Sequence, residues 1–253
     1  MRPYILGEST WKQVREQEVD LVVLPWGATE AHNRHLPYAT DVLQSDHLAA
    51  EAARLAYERG ARVMVLPTIP FGVNTGQTDI YLDINLNPST MTAIVGDVLD
   101  TLDRQGINKF LIFNSHGGND FKPILRELGL QYPDMFLAFT NWYSTLDKSK
   151  YFANDGDHAD EMETSLMLHI RPDLVRPLSD AGPGTERKIK INSIKQGWAW
   201  TERKWAEVTD DTGIGDPRQA TVEKGAAYYK DVTRRMADLF VEIACADLND
   251  LYE

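Results

Sequence analysis

The chain has 253 residues, with 38 acidic and 26 basic side chains and a formal net charge of -12. This length is enough for one large core, so we expect a single domain spanning residues 1–253. The acidic balance argues against a nucleic-acid partner, because phosphate binding relies on a basic face. The lone cysteine, Cys245, excludes an intrachain disulfide. We expect it to be a small core residue in a reducing compartment.

The sequence has neither a cationic leader followed by an apolar stretch nor a run of about 18 apolar residues, the length of a membrane span. We therefore expect a cytoplasmic protein with no membrane partner.

The first third of the chain alternates predicted helices and strands. A short helix is expected over residues 8–17, with Ser9 or Thr10 as its N-cap. Residues 20–25 and 61–66 are short apolar runs ended by proline, typical of strands buried on both faces of a parallel sheet. Between them, residues 42–59 predict a helix that ends at Gly60.

The same alternation continues through the rest of the chain. Residues 71–87 predict a loop with an irregular strand, and residues 177–215 are the least regular part of the sequence. We expect helices at 88–105, 120–130 and 220–248, strands at 109–114 and 135–140, and a polar loop at 142–157. This order indicates an α/β fold with a mostly parallel sheet between two layers of helices.

Residues 25–41 form a polar loop after the first strand, where open α/β sheets place their chemistry. Glu30, His32 and Asp41 offer carboxylate oxygen and imidazole nitrogen within twelve residues. This set suits one or two divalent metals of the zinc or manganese kind better than calcium, which prefers oxygen alone.

Two further loops add ligand types at the same sheet edge. One reads Ser-His-Gly-Gly-Asn over residues 115–119 and contains His116. The other leads into a predicted helix that carries His158, Glu161 and Glu163. On a helix, His158 and Glu161 share a face, whereas Glu161 and Glu163 diverge by about 200°. We therefore expect the two glutamates to have different roles.

Two other active-site classes fit the sequence poorly. The glycines never form the strand-linked spacing of a P-loop or dinucleotide site. Ser115 lacks the Gly-x-Ser-x-Gly elbow of serine hydrolases. Metal-assisted hydrolysis fits the histidine and carboxylate residues better than either of these classes.

Four motifs resemble the creatininase (creatinine amidohydrolase) family. They are Gly-Ala-Thr-Glu-Ala-His followed by His-Leu-Pro-Tyr-Ala-Thr-Asp, then Asn-Ser-His-Gly-Gly-Asn, His-Ala-Asp-Glu-Met-Glu-Thr-Ser and Gly-Asp-Pro-Arg-Gln-Ala-Thr-Val-Glu-Lys-Gly. The resemblance spans roughly residues 20–230. It implies a flavodoxin-like three-layer α/β/α fold, two divalent metals (Zn, Mn or Fe) and hydrolysis of a small cyclic amide or formamide by metal-activated water.

The resemblance also implies roles for individual residues. Glu30 and His116 would bind one metal, His32 would bind the other, and Asp41 would bridge them. Creatininase takes a further glutamate ligand from the position of Gly118, and we assign that role here to Glu161. His158 and Glu163 are then the catalytic candidates of the pocket. His158 is either a proton carrier or a residue that orients Glu161.

The rim of the site differs from creatininase. Asn154 replaces a tryptophan, and residues 74–77 read Asn-Thr-Gly-Gln where relatives commonly read Ser-Glu-Glu-His. We therefore expect a small-molecule C-N substrate other than creatinine. The alternatives are a peptide-trimming peptidase of this family and a non-catalytic metal-binding scaffold subunit.

Several residues near the site keep open roles. The tryptophans at 198, 200 and 205 could form a lid, or they could belong to the core or to a subunit contact. His35 is expected to be a structural or pocket residue. The family resemblance also implies a homo-oligomer, possibly a hexamer.

Overall fold

The computed structural model describes residues 2–154 and 156–253; Met1 and Asp155, the latter in the predicted loop 142–157, lie outside the described residues. Four parallel strands form one sheet in the order β2-β1-β3-β4. They are β1 (Leu21–Trp26), β2 (Val63–Val65), β3 (Lys109–Asn114) and β4 (Phe136–Asn141). The register pairs Val22 with Phe110 and Trp26 with Asn114, so β1 and β3 end at the same level.

The helices follow the predicted alternation. They are α1 (Trp11–Arg15), α2 (Thr40–Glu58), α3 (Pro88–Arg104), α4 (Phe121–Leu128), α5 (Glu161–Ile170), α6 (Asn192–Lys195), α7 (Trp205–Val208) and α8 (Val222–Cys245). None of the helices in the described part of the chain combines the length and the apolar character of a membrane span.

The central strands are buried on both faces, which explains why they are apolar without alternation. Val23 and Leu111 belong to the core that includes α2, α5 and α8. Their neighbours Val22 and Phe110 face the second core, formed with α3 and α4. Because successive side chains of a strand point to opposite faces, this division establishes three α/β/α layers.

The last helix packs closely on α5, the element that follows the third functional loop. A Cβ atom at Gly225 would lie 1.9 Å from the carbonyl oxygen of Ser165, so only glycine permits this approach of the two backbones. Thr221 accepts a hydrogen bond from the Lys224 amide and caps α8. This packing holds α5 closely against α8.

Three local predictions differ from the structure. Residues 71–87 contain an isolated bridge between Gly72 and Asn85 and a short 3-10 helix, with no extended strand. The least regular region, 177–215, does include the short helices α6 and α7. Cys245 is exposed at the end of α8, so its expected place in the core is wrong. The apolar face of α8 carries its neighbours Ile243 and Ala244 instead.

Candidate metal centre

The candidate site lies where the strand order reverses between β1 and β3, the position at which open α/β sheets bind ligands. The loop after β1 carries Glu30 and His32, and Asp41 lies on the first turn of α2. His116 lies two residues after β3. All four side chains are buried, with 1% to 4% of their surface exposed.

The third loop reaches the same place by a route that the sequence did not predict. His158 forms an antiparallel bridge with Ile214 and precedes the helix, which begins only at Glu161. Ala159 has a positive φ of 49°, and the Asp160 side chain caps α5 by accepting from the Glu163 amide. The expectation that His158 and Glu161 share a helix face is therefore wrong.

The ligand-type atoms of the cluster are close together. His116 Nδ1 lies 2.8 Å from Glu30 Oε1 and 3.1 Å from Asp41 Oδ2. The other oxygen of Asp41, Oδ1, lies 3.2 Å from His32 Nε2, which is 3.9 Å from Glu163 Oε2. Asp41 thus belongs to two groups that could each hold an ion, one with Glu30 and His116 and one with His32 and Glu163.

All three histidines of the cluster hydrogen bond to a main-chain carbonyl with the ring nitrogen that faces away from the carboxylates. The distances are 3.1 Å from His32 Nδ1 to Glu30 O, 3.0 Å from His116 Nε2 to Val73 O and 2.8 Å from His158 Nε2 to Ala31 O. A carbonyl can only accept, so these outer nitrogens carry the protons. In each neutral ring the inner nitrogen therefore presents a lone pair, which is the tautomer of a metal ligand.

The carboxylates raise the proton affinity of two of these rings when no cation is bound. Burial alone would lower the pKa of His32, but the Asp41 carboxylate raises it to about 10. Burial is likewise outweighed at His116, where Glu30 and Asp41 raise the pKa well above its ordinary value. The negative charge of the carboxylates that stabilises these protons would also stabilise a bound cation.

The remaining titratable groups behave differently. Burial and the nearby His32 lower the pKa of His158, so this ring is neutral at pH 7. Burial raises the pKa of Glu163 to about 8 despite the opposing effect of His32. Glu30 is ionised, because the charge and the hydrogen bond of His116 outweigh burial and hold its pKa well below the usual range.

Glu161, predicted to be a metal ligand, lies outside the groups of ligand atoms in the described part of the chain. One carboxylate oxygen pairs with Lys224 Nζ, and the other accepts hydrogen bonds from the amides of Ala153 and Asn154. Glu163, expected to be a catalytic pocket residue, occupies the position facing His32. Both glutamates lie in the first turn of α5, and residues two apart on a helix point to different sides.

Gly118 occupies the position from which creatininase was expected to supply a ligand. A Cβ atom there would lie 2.3 Å from Val73 O and 2.5 Å from His116 Nε2. No side chain fits at this position without moving the loop that holds His116. The neighbouring Gly117 has open space around it.

The sequence did not single out Gln77 as a functional residue. Its Nε2 donates a hydrogen bond to Glu30 Oε2, and its side chain is buried. It therefore fixes the carboxylate that also approaches His116. The only sequence signal was its place in the divergent rim segment 74–77.

A cavity of about 360 Å³ opens beside the cluster. It is lined by Glu30, Asp41 and Glu163 of the cluster, and its walls include residues 73–77, 115–118, 120 and 200–203 together with Lys148 and Trp205. The volume lies at the lower end of the range for small-molecule sites in proteins.

The three tryptophans of residues 198–205 have separate environments. Trp198 and Trp200 are exposed, at 73% and 81% of their surface, whereas Trp205 is buried. The Trp205 ring meets the edge of His158 with centroids 5.4 Å apart and lines the cavity. Trp205 is thus a buried residue of the cavity wall, and the exposed Trp200 also lines the cavity.

His35, expected to be structural or part of the pocket, lies away from the ligand atoms. Its Nε2 lies 2.8 Å from Thr164 Oγ1, and burial lowers its pKa to about 4. It is fully buried and neutral. Its contact joins the first functional loop to α5.

The family model for creatininase, described as creatinine amidohydrolase, matches residues 7–240. This chain belongs to the creatininase family. The creatinine amidohydrolase of Pseudomonas putida is 28% identical over 194 residues, covering 67% of this chain and 73% of that protein. The mycofactocin precursor peptide peptidase of Mycobacterium tuberculosis (strain CDC 1551 / Oshkosh) is 26% identical and covers 92% of this chain and 90% of its own.

Solved structures agree with the fold. A crystal structure from Bacteroides fragilis NCTC 9343, provisionally named a creatinine amidohydrolase, has a TM-score of 0.93 and 43% identity, with 100% of both chains covered. Creatininase structures described as Mn and as Zn-Zn type cover 96% of this chain and 99% of their own. Their TM-scores are 0.74 and 0.76, at 24% and 23% identity, so this likeness concerns the fold.

Proposed function

We propose that this creatininase-family protein is an amidohydrolase that holds two divalent ions and cleaves a C-N amide bond of a small substrate. The observation that carries the proposal is the position of Asp41, whose two buried oxygens face two different sets of ligand atoms. A carboxylate placed in this way is suited to bridge two ions.

The residues present fit such a pair of ions. Glu30, Asp41 and His116 would hold one ion, and His32, Asp41 and Glu163 would hold the other. Asp41 Oδ2 is buried and faces His116 Nδ1 at 3.1 Å, where an ion would replace the proton that the raised pKa of His116 retains. Imidazole and carboxylate ligands together suit zinc, manganese or iron.

When bound, such ions make a water molecule nucleophilic near pH 7 and polarise the scissile carbonyl. The residues of the chain contribute proton transfer and orientation. His158 is neutral, and its inner Nδ1 is 3.8 Å from Glu30 Oε1 at the cavity, so it can take a proton from water and give it to the leaving nitrogen. Gln77 orients Glu30 through the hydrogen bond to Oε2.

The cavity supports a small non-peptide amide as substrate. Its volume of about 360 Å³ is modest, and the Trp205 ring narrows it beside His158. A lactam or formamide group could reach the cluster with the rest of a small molecule against the walls.

Peptide trimming is the second candidate, and one comparison favours it. The mycofactocin precursor peptide peptidase matches over 92% of this chain, a greater share than the creatinine amidohydrolase of Pseudomonas putida covers. In that case the end of a peptide would enter the cavity. A metal-binding subunit without catalysis is the third candidate.

Metal analysis combined with a hydrolysis screen tests these proposals. We expect two equivalents of zinc or manganese per chain and metal-dependent hydrolysis of a lactam, a formamide or a short peptide. Asp41→Ala should lose both ions and all turnover. Full metal content with normal turnover in Asp41→Ala would refute the bridging role, and a metal-loaded protein inactive on all three classes would favour the non-catalytic subunit.

A further inference from the structure

The walls of the cavity carry two cationic side chains, Lys148 and Arg203, and they differ in what they contact. Arg203 donates to Asp157 Oδ2 at 2.7 Å, lies 4.0 Å from Glu186 and covers the Trp205 ring at 4.6 Å. Its charge is already balanced within the protein.

Lys148 has no such partner in the part of the chain that the structure describes. Among residues 2–154 and 156–253, no carboxylate oxygen lies within 4.0 Å of its ammonium group. Burial raises the pKa of Asp160, and the charge of Lys148 partly opposes this rise. The Asp160 carboxylate already accepts a hydrogen bond from the Glu163 amide as the cap of α5. Lys148 is half-buried and lines the cavity.

The acidic residues of the cavity wall outside the metal cluster have partners of their own. Asp120 accepts from the Lys122 amide at 3.1 Å and caps α4. Glu202 accepts from the Thr75 hydroxyl at 2.8 Å. Among the described residues, Lys148 is therefore the cationic side chain of the cavity wall that lacks an ion pair.

The backbone of Lys148 is held firmly. It begins a 3-10 helix that Asp147 caps through the Ser149 amide, and its carbonyl accepts from the Phe152 amide at 3.0 Å. The Phe152 ring packs on the buried Tyr228 with centroids 5.2 Å apart. A lysine on an anchored backbone can direct its ammonium group to one region of the cavity.

We infer that Lys148 is a specificity-determining residue that binds a carboxylate of the substrate, so that the preferred substrate is a small amide with a free carboxylate away from the scissile bond. The inference rests on the proposed function, because it assigns the cluster to the amide and Lys148 to the other end of the same molecule. One ammonium group balances one negative charge, which favours a carboxylate over a phosphate dianion.

Matched substrate pairs test the inference. The probes are N-formylglycine against N-formylglycinamide and glycylglycine against glycylglycinamide, with the zinc- or manganese-loaded protein. A charge-assisted hydrogen bond corresponds to about a 10- to 100-fold preference in kcat/KM for the free carboxylate. Lys148→Met should bring this ratio close to one, mainly through KM, and Lys148→Arg should retain most of it.

Lys150 supplies the control, because it lies on the same 3-10 helix, has a side chain that is 73% exposed and contacts Asp147 at 3.9 Å. Lys150→Met should keep the wild-type ratio. An unchanged ratio in Lys148→Met, or an equal loss in Lys150→Met, would overturn the inference. So would a wild-type preference for the amidated probes.

Calorimetric binding of N-formylglycine to the metal-loaded protein separates this inference from the proposed function. Binding that Lys148→Met weakens about 10-fold, with no hydrolysis of any probe, would support the carboxylate site and refute the amidohydrolase. Hydrolysis that does not depend on Lys148 would support the amidohydrolase and refute the carboxylate site.

Discussion

Glu161 and Glu163 give the sharpest test of the site, because they are only two residues apart but have different contacts. Glu163 faces His32, whereas Glu161 pairs with Lys224. Glu163→Gln removes the anionic oxygen that faces His32 at 3.9 Å. We expect the ion held by His32 and Asp41 to bind at least about 100-fold more weakly, a change of about 2.7 kcal/mol, since even residues that only support ligands have effects up to this size.

The same substitution should leave the metal-free protein nearly as stable as the wild type. With the pKa of Glu163 raised to about 8, its uncharged form dominates at pH 7, and glutamine is a close neutral replacement. Hydrolysis should fall with the loss of the second ion. Metal content by mass spectrometry and affinity by calorimetry measure these effects.

Glu161→Gln is the matched control, with the opposite expectation. It breaks the ion pair to Lys224, whose side chain is 30% exposed, and disturbs the acceptor of two main-chain amides. Because Lys224 can recover part of its hydration, we expect a loss of about 1 to 3 kcal/mol. For a domain of this size that lowers Tm by roughly 3 to 10 °C, with both ions retained.

The reasoning is refuted if the two variants behave in the reverse way. A Glu161→Gln protein that loses one ion while keeping its Tm, beside a Glu163→Gln protein with two tightly bound ions, would restore the assignment expected from the sequence.

Three further predictions follow from the same geometry. Because the pKa values of His32 and His116 are raised, metal binding at pH 7 should release protons and tighten as pH rises, which calorimetry in buffers of different ionisation enthalpy detects. Gly118→Ala should cost about 1 to 3 kcal/mol and reduce metal content through the loop of His116, whereas Gly117→Ala should do neither in unfolding and metal assays. The pKa of His35 is lowered from 6.5 to about 4, so the stability it contributes is complete above pH 6.5 and is lost as pH falls to about 4. The loss is at most about 3 kcal/mol, and His35→Asn should remove it from the pH dependence of the unfolding free energy.

The sequence predicted the strands well, because a buried parallel strand is a short apolar run between loops. The third predicted strand matches Lys109–Asn114 at both ends, and the predicted helix start at Pro88 is correct. The first strand differs by one residue at each end. Capping residues were informative too: Thr10, one of the two candidates, caps α1.

The third functional loop was predicted less well for a definite reason. The segment from His158 to Ser165 has helical composition throughout, but the helix begins at Glu161 after the Asp160 cap. The positive φ of Ala159 and the bridge from His158 to Ile214 depend on a partner 56 residues away. No local signal in the sequence reports such a contact.

The sequence by itself determined the α/β/α architecture and the loops that carry Glu30, His32, Asp41 and His116, because these follow from strand and helix periodicity along the chain. Only the tertiary structure decided that Glu163 faces His32 while Glu161 pairs with Lys224. Successive side chains of a helix differ in direction by about 100°, so the residue at which the helix begins decides which side chains face the site. Long-range packing sets where this helix begins. The cavity wall was decided in the same way, since its segments come together only when the chain folds.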